Sequence, residues 1–485
     1  MWINEREPNN QFKENLVLIR VPTIAAKMGL SSEDPIYTPS LGLAQLHSYL
    51  NEKGISVTLI DLVDKIIKKE APKFNLNIYV KENNIFKYLK GIPNKKINQN
   101  IFYIMKDVNF KNVAIVGISL FDRGTLFFGL HIAKFIKETY PNIKIVLGGP
   151  YCYFENEKIL EEFNFVDYVV IGQGESALEM MFNNYKCKGF EKHVPNLMYK
   201  FGNRISFTFK EEKSIEDASC PYFIIKSKDL ISSDGNNNLS TLGLPYQISR
   251  GCVHRCAFCG QGSLERFESK SIEKVYRDLK TLKESYGISQ FYFADNSLNS
   301  IGREKLIKLC NSIKELNIEW NALFHLSNLK KEDFILMKES GCKELMWGLE
   351  SGSPKILELM NKTMNLNEIK NILNWSSDAG IKNKVFIIVG FLQETSKDIE
   401  KTLTYLEECD KHIDKVQISA FQLTNNTLIY NNPSYYNIEL GEGIPKNFPM
   451  RFAFYEAQEP FEKREQRIEQ IYNDIMIHFI LKEKY

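Results

Sequence analysis

The chain has 485 residues, of which 44% are hydrophobic and 25% charged, a length for two or three domains and a balance ordinary for globular proteins. A formal net charge of +2 gives no ground for nucleic acid or an anionic membrane surface as a partner. Six of the nine cysteines (Cys152, Cys187, Cys220, Cys310, Cys342, Cys409) stand singly. That pattern, with a polar N-terminus and no apolar run of about 18 residues, places the expected compartment in the cytoplasm, off the membrane.

In chain order, apolar runs at Leu16–Ile19, Val57–Ile60, Val113–Ile118, Ile145–Leu147 and Tyr168–Ile171 alternate with amphipathic stretches at 41–52, 125–138, 156–163 and 176–183. Continuous apolar strands alternating with helices predict a doubly wound parallel α/β sheet covered on both faces. Residues 62–106 read as an insertion with local helices. In such sheets ligands lie at the carboxyl ends of the strands. Those ends carry Ser119, Gly148-Gly149-Pro150 and Gly172-Gln173-Gly174-Glu175, where glycine lets backbone approach a bulky ligand. His47 and His131 fall on helices and read as hydrogen-bonded structural residues.

Residues 187–243 form the expected linker, with a hairpin turning at Gly202-Asn203 and a polar loop at 232–238. Behind the apolar run Leu244–Ser249 stand Cys252, Cys256 and Cys259, spaced C-x3-C-x2-C, with Phe258 before the last. Three thiolates on one short loop can hold three corners of a cubic iron–sulfur cluster and leave the fourth iron open to a small molecule. A zinc site with His254 as fourth ligand, a redox disulfide and buried free thiols remain alternatives.

Five further strands are expected at Gln290–Phe293, Trp320–Phe324, Glu344–Trp347, Lys384–Val389 and Lys415–Ala420, with helices at 272–285, 303–316, 331–339, 367–379 and 397–409. With the first strand this makes six βα units, a partial (β/α)6 barrel whose chemistry belongs at the carboxyl ends. Asp295 and Asn296 follow the second strand, Glu350 and Ser351 the fourth, and Gly390 to Glu394 the fifth, while Gln417 lies on the sixth. Taken singly each polar residue also reads as a helix cap. Residues 431–485 read as a short, mostly helical substrate-side region ending in an amphipathic helix at 459–485.

The cysteine spacing, with Arg250-Gly251 before it, resembles the signature of the radical S-adenosylmethionine (radical SAM) enzymes. Residues 15–185, with Pro39 to Ala44 opening the first helix, resemble the cobalamin-binding domain that precedes the cluster domain in one class of them. The resemblance implies domains at 1–186 and 244–430, a [4Fe-4S] cluster on the three cysteines, and SAM on Phe258 and the strand-end residues Asp295, Asn296, Glu350, Ser351, Gly390, Glu394 and Gln417. It also implies cobalamin against Ser119, Gly148, Gly149, Gly172, Gly174 and Glu175. The implied activity is reductive SAM cleavage to a 5′-deoxyadenosyl radical and C-methylation of a natural-product or peptide substrate, with an electron donor of flavodoxin or ferredoxin type. A corrin-independent cyclase or epimerase, and a non-enzymatic cluster sensor, are the competing readings. Three departures stand out: residues 21–25 lack the Asp-x-His-x-x-Gly loop of many cobalamin domains, His325 stands where many relatives carry arginine, and 423–430 lacks the common Pro-Gly-Thr.

Overall fold

The computed structural model describes residues 15–22, 39–68, 70–153, 156–224, 243–260, 266–362, 364–444, 451–456, 463, 466 and 468–470. The chain divides into two compact units, Met1–Lys213 with Ala218–Ile224, and Ser214–Asp217 with Ile225–Tyr485.

The first unit is built on β1 (Asn15–Arg20), β2 (Val57–Asp61), β3 (Val113–Ser119), β4 (Lys144–Gly148), β5 (Tyr168–Val170), β6 (Leu197–Phe201) and β7 (Arg204–Phe207), ordered β2-β1-β3-β4-β5-β6-β7. The first five strands are parallel. Leu16 to Ile19 are buried throughout, as expected of strands covered on both faces. Helix Leu41–Glu52 starts at Ser40, whose hydroxyl accepts from the Leu43 N–H, and Arg123–Thr139 starts with a capping box of Asp122 and Thr125. The insertion folds as helices Leu62–Ile67, Glu82–Leu89 and Lys95–Met105 with a 3-10 turn at Leu76–Val80.

The hairpin expected in the linker instead extends this sheet: β6 pairs antiparallel with β5 through Val169 and Met198. Leu197, Met198 and Tyr199 are buried. An antiparallel strand needs no crossover helix, so nothing in the helix–strand rhythm announces it.

In the second unit β8 (Leu244–Tyr246), β11 (Gln290–Phe293), β12 (Glu319–Phe324), β13 (Cys342–Glu350), β14 (Lys382–Val389) and β15 (Lys415–Ala420) pair in sequence order. All five pairings are parallel. A two-residue ribbon joins β9 (Ser249–Arg250) to β10 (Glu268–Ser269). Helices Ile272–Tyr286, Arg303–Ile313, Lys331–Glu339, Leu366–Asp378 and Ser396–Glu408 return the chain between successive strands. Trp347 of β13 packs on Phe334 of Lys331–Glu339, which marks the helix-covered face. The opposite face carries Asn321, Met346, Gly348 and Phe386, with Gly348 directly opposite Phe386. Gly341 admits the chain into β13: a Cβ there would lie 1.8 Å from the Ile318 carbonyl oxygen.

The C-terminal region departs from expectation. Its described part is an antiparallel hairpin of β16 (Ile438–Ile444) and β17 (Arg451–Glu456), not mostly helix. Two glycines in β16 (Gly441, Gly443) hid its strand pattern, while Tyr436, Ile438 and Phe454 bury against Phe391, Phe421 and Leu423. The helix expected at 459–485 falls outside the described residues except for helical Lys463, Gln466 and Ile468–Gln470.

Candidate active site

The parallel sheet of the second unit delivers its strand ends to one edge, and the three-cysteine loop leaves β9 there through Gly251 at φ +78°. Four hydrogen bonds hold the loop without using a thiol. Ala257 N–H donates to Met360 O at 2.8 Å, and Ile429 N–H donates to Ala257 O at 3.3 Å. Asn361 Nδ2 donates to Arg255 O at 2.6 Å and Asn296 Nδ2 to Gly251 O at 3.3 Å. Cys252, Cys256 and Cys259 are free, partly exposed thiols. Burial pushes the Cys256 thiol up to about 11 and raises that of Cys252, and the charge of Lys362 opposes both shifts.

Among the described residues no three His, Cys, Asp or Glu side chains converge as ligands of one metal ion. His254 turns onto the His325 ring, stacked at 3.7 Å and 11°. Asn299 and Ser327 hold His325 through its backbone N–H at 2.9 Å and its Nδ1 at 2.8 Å. His325 therefore buttresses the cysteine loop.

The structure separates the strand-end residues into open and committed ones. Asp295 is buried, and its carboxylate accepts from Ile248 N–H at 3.3 Å, from Ser249 N–H and from Ser249 Oγ at 2.5 Å. It points back at the stem of the cysteine loop. Burial pushes its carboxyl up to about 6 against those donors. The Ser351 hydroxyl is fully buried between Thr402 Oγ1 at 3.2 Å and the Ser353 N–H at 3.1 Å. Glu394 accepts from the N–H groups of Gly390 and Phe391, closing that turn on itself. Phe391 meets the edge of Phe258 at 6.4 Å. Gln417 lies exposed on the edge strand β15.

Glu350 stands at φ +69°, unusual for a residue with a side chain, beyond a register shift in β13. Its carboxylate receives Lys362 Nζ at 3.2 Å. The sequence reading passed over Lys362, which lies 12 residues on in a stretch without a motif; only its burial singles it out.

In the first unit Ser119 and Gly148 pair at the ends of β3 and β4. Gly149 is required by the chain itself: at φ +98° its Cβ would meet Leu120 O at 2.5 Å. Gly172 (φ +93°) lies under the Tyr153 hydroxyl, and Gly174 caps helix Glu175–Asn184. Gln173 between them exchanges hydrogen bonds with the Lys213 backbone. Phe121, just beyond β3, is 67% exposed at this edge. Small residues thus stand at successive strand ends beside an exposed aromatic. His131 is buried and bonded through Nδ1 to Tyr79, and His47 bonds to Asn51 and stacks on Tyr222. His131 Nε2 is buried without a hydrogen-bond partner among the described residues.

Residues 246–406 match the family model described as Radical SAM superfamily, and residues 93–181 match the B12 binding domain. The chain is 26% identical over 353 residues to an uncharacterized methyltransferase of Pyrococcus horikoshii, covering 70% of this chain and 73% of that one. It is 25% identical over 416 residues to the cytidylyl-2-hydroxyethylphosphonate methyltransferase of Streptomyces wedmorensis, covering 77% and 74%. Among solved structures it superposes on the radical SAM methyltransferase TsrM of Kitasatospora setae, with cobalamin and a [4Fe-4S] cluster bound, at a TM-score of 0.62 and 14% identity over 88% of this chain and 77% of that one. The cobalamin-dependent radical enzyme OxsB with aqua-cobalamin and S-adenosylmethionine gives 0.67 and 16% over 92% and 64%. Those two likenesses establish the fold. No helix among the described residues is long and apolar enough to cross a membrane.

Proposed function

We propose that this chain, which belongs to the radical SAM enzymes carrying a B12-binding domain, is a cobalamin-dependent methyltransferase that acts on carbon in a natural-product or peptide substrate. The observation that carries the reading is the presence of both domains in one chain, the first with small residues at successive strand ends, the second with three free thiols on a preformed loop. The names of both relatives above, methyltransferases, support methyl transfer.

Cys252, Cys256 and Cys259 would hold a [4Fe-4S] cluster. Asn296, Glu350 and the Gly390–Glu394 turn lie at the ends where SAM would be received, and Ser119, Gly148 and Gly172 at those where cobalamin would be. When bound, the cluster supplies the electron that cleaves SAM, and cobalamin supplies the methyl carrier. The protein's part is positioning and exclusion of water. The loop bonds from Met360, Asn361 and Asn296 fix the thiols before any metal arrives. Phe258 and Phe391 pack apolar surface behind the last cysteine. A low-potential donor of flavodoxin or ferredoxin type would feed the site.

The corrin-free reading draws on one observation: Gly149 and Gly172 are accounted for by Leu120 and Tyr153, without a ligand. Metal and corrin analysis of chain purified without oxygen from cobalamin-fed cells, after cluster reconstitution, separates the two. About one cobalamin per chain beside a four-iron cluster is expected. A full cluster with no corrin, even after refolding with hydroxocobalamin, sinks the methyltransferase reading.

Ser351→Ala tests the division between open and committed residues. Losing the bonds to Thr402 and Ser353 should lower stability by about 1 kcal/mol, read by denaturant titration. SAM affinity, read by equilibrium dialysis, should stay within twofold of wild type. A large loss of affinity would return Ser351 to the nucleotide site.

A further inference from the structure

Lys362 is a buried cation, 4% exposed, that the proposed chemistry leaves without a task. Its ammonium donates to Gly348 O at 2.6 Å and to Glu350 Oε1 at 3.2 Å, both on β13. A Cβ on Gly348 would lie 2.7 Å from Glu350 Oε1 and 2.9 Å from Lys362 Nζ. The ion pair therefore rests on the bare backbone of Gly348, where any side chain would displace it.

Each partner is held in place by other bonds. Lys362 N–H donates to Leu357 O at 2.8 Å, at the end of helix Pro354–Leu359. Met360 O accepts from Ala257 N–H at 2.8 Å, and Asn361 Nδ2 donates to Arg255 O at 2.6 Å. Three consecutive residues thus tie the cysteine loop to the end of β13. Glu350 leaves that strand at φ +69°, beyond a register shift. A residue with a side chain keeps such backbone only where its surroundings impose it, and such positions cluster at functional sites. Glu350 is 8% exposed, and its second oxygen, Oε2, accepts no hydrogen bond among the described residues. A nearly buried carboxylate oxygen without a donor is costly, and an N–H or O–H of a ligand relieves that deficit.

We propose that Lys362 is a positioning residue for SAM: it fixes the Glu350 carboxylate so that Oε2 accepts a hydrogen bond from the bound cofactor. Gly348 leaves the room that the pair needs. The inference rests on the reading above, in which SAM is received at these strand ends. SAM offers two kinds of donor to a carboxylate oxygen, its ammonium and its ribose hydroxyls. Lys362 acts through Glu350, and segment 360–362 sets that carboxylate in fixed relation to the cysteine loop.

The test is equilibrium dialysis of radiolabelled SAM against the full-length chain with its cluster reconstituted and no reductant added. Glu350→Gln and Lys362→Met should each weaken SAM about tenfold or more, the worth of one charge-assisted hydrogen bond, with iron content unchanged. The double variant should bind no more than about twofold weaker than either single one, because both remove the same contact. Gly348→Ala would push two flexible side-chain ends and no backbone. It should keep iron and circular dichroism while losing SAM affinity, and it stands in where Lys362→Met fails to fold. Competition by 5′-methylthioadenosine, which keeps the ribose and lacks the ammonium, identifies the donor. Weakening of that competitor along with SAM in Glu350→Gln assigns the ribose, and wild-type competition assigns the ammonium. Wild-type SAM affinity in any single variant that keeps its cluster overturns the proposal. Additive losses of about a hundredfold in the double variant overturn it too, since Lys362 would then act apart from Glu350. Wild-type chain that holds a four-iron cluster and binds no SAM sinks the functional reading first, and this inference with it.

Discussion

Cys256→Ala is expected to reduce reconstituted iron from about four per chain to background and SAM cleavage to below detection, while the far-ultraviolet circular dichroism stays that of wild type. The separation of the two effects comes from how the loop is held. Its anchors are backbone and amide groups, at Ala257, Arg255 and Gly251, and none is a thiol. Fully buried Ala257, next in sequence, keeps its packing among Ile356, Met360 and Leu392. Two thiolates cannot hold three corners of a cubic cluster, so the loss is close to complete, not graded. Cys310→Ala is the control. That thiol is buried on helix Arg303–Ile313, and it behaves as a small hydrophobe. Its removal should cost about 1 kcal/mol by denaturant titration and leave iron content unchanged. Equal iron loss in both variants would mean the cluster responds to general destabilisation and not to its ligands.

The parallel core of both units was legible because buried parallel strands write themselves as unbroken apolar runs. β11 and β15 fall on the expected residues, and β1 to β5 and β14 differ only at their ends. What escaped was pairing that needs no such run. The hairpin of β6 and β7 was expected, but not that it joins the first sheet beyond the last βα unit, and β16 carries two glycines. Strand β13 also outran expectation. It begins at Cys342 and runs through Glu350, where the expected strand covered Glu344–Trp347 and left Gly348 to Glu350 to the loop after it.

At the site, the cysteine spacing was legible because the chemistry fixes the spacing. The strand-end residues were legible only as a set. A sequence places Asp295, Glu350 and Ser351 at the right edge of the sheet, yet does not say which way a side chain turns. Here Ser351 and Glu394 turn back into the protein scaffold, while Asn296 reaches the cysteine loop. Lys362 has no motif at all; only its burial and its bonds to Gly348 and Glu350 mark it.

Asp295→Ala is expected to lower stability by about 1–3 kcal/mol, the usual penalty for leaving buried hydrogen-bond donors without their acceptor. The carboxylate satisfies Ile248 N–H and both donors of Ser249, and it feels the charge of fully buried Lys270. Lys270 has Asp278 at 3.8 Å, and Asp278 in turn receives Tyr246 Oη at 2.7 Å. Beside Lys270 also stands the Tyr246 ring at 4.1 Å. Adding Lys270→Met should therefore recover part of the loss, a coupling read by a double-mutant cycle in denaturant. Additive costs would mean Lys270 and Asp295 do not share a network. The pH dependence gives a second signature. Burial raises this carboxyl from 3.8 to about 6, so between those values the folded chain binds the proton and the unfolded chain has released it. Stability from this group is then greatest below about 4 and declines as pH rises through about 6. Asp295→Ala should lack that decline. Because Ile248 and Ser249 lead directly into Cys252, iron content should fall with stability, whereas SAM affinity of the chain that still holds a cluster should stay within a few-fold of wild type. Loss of affinity with full iron would instead place Asp295 on the nucleotide.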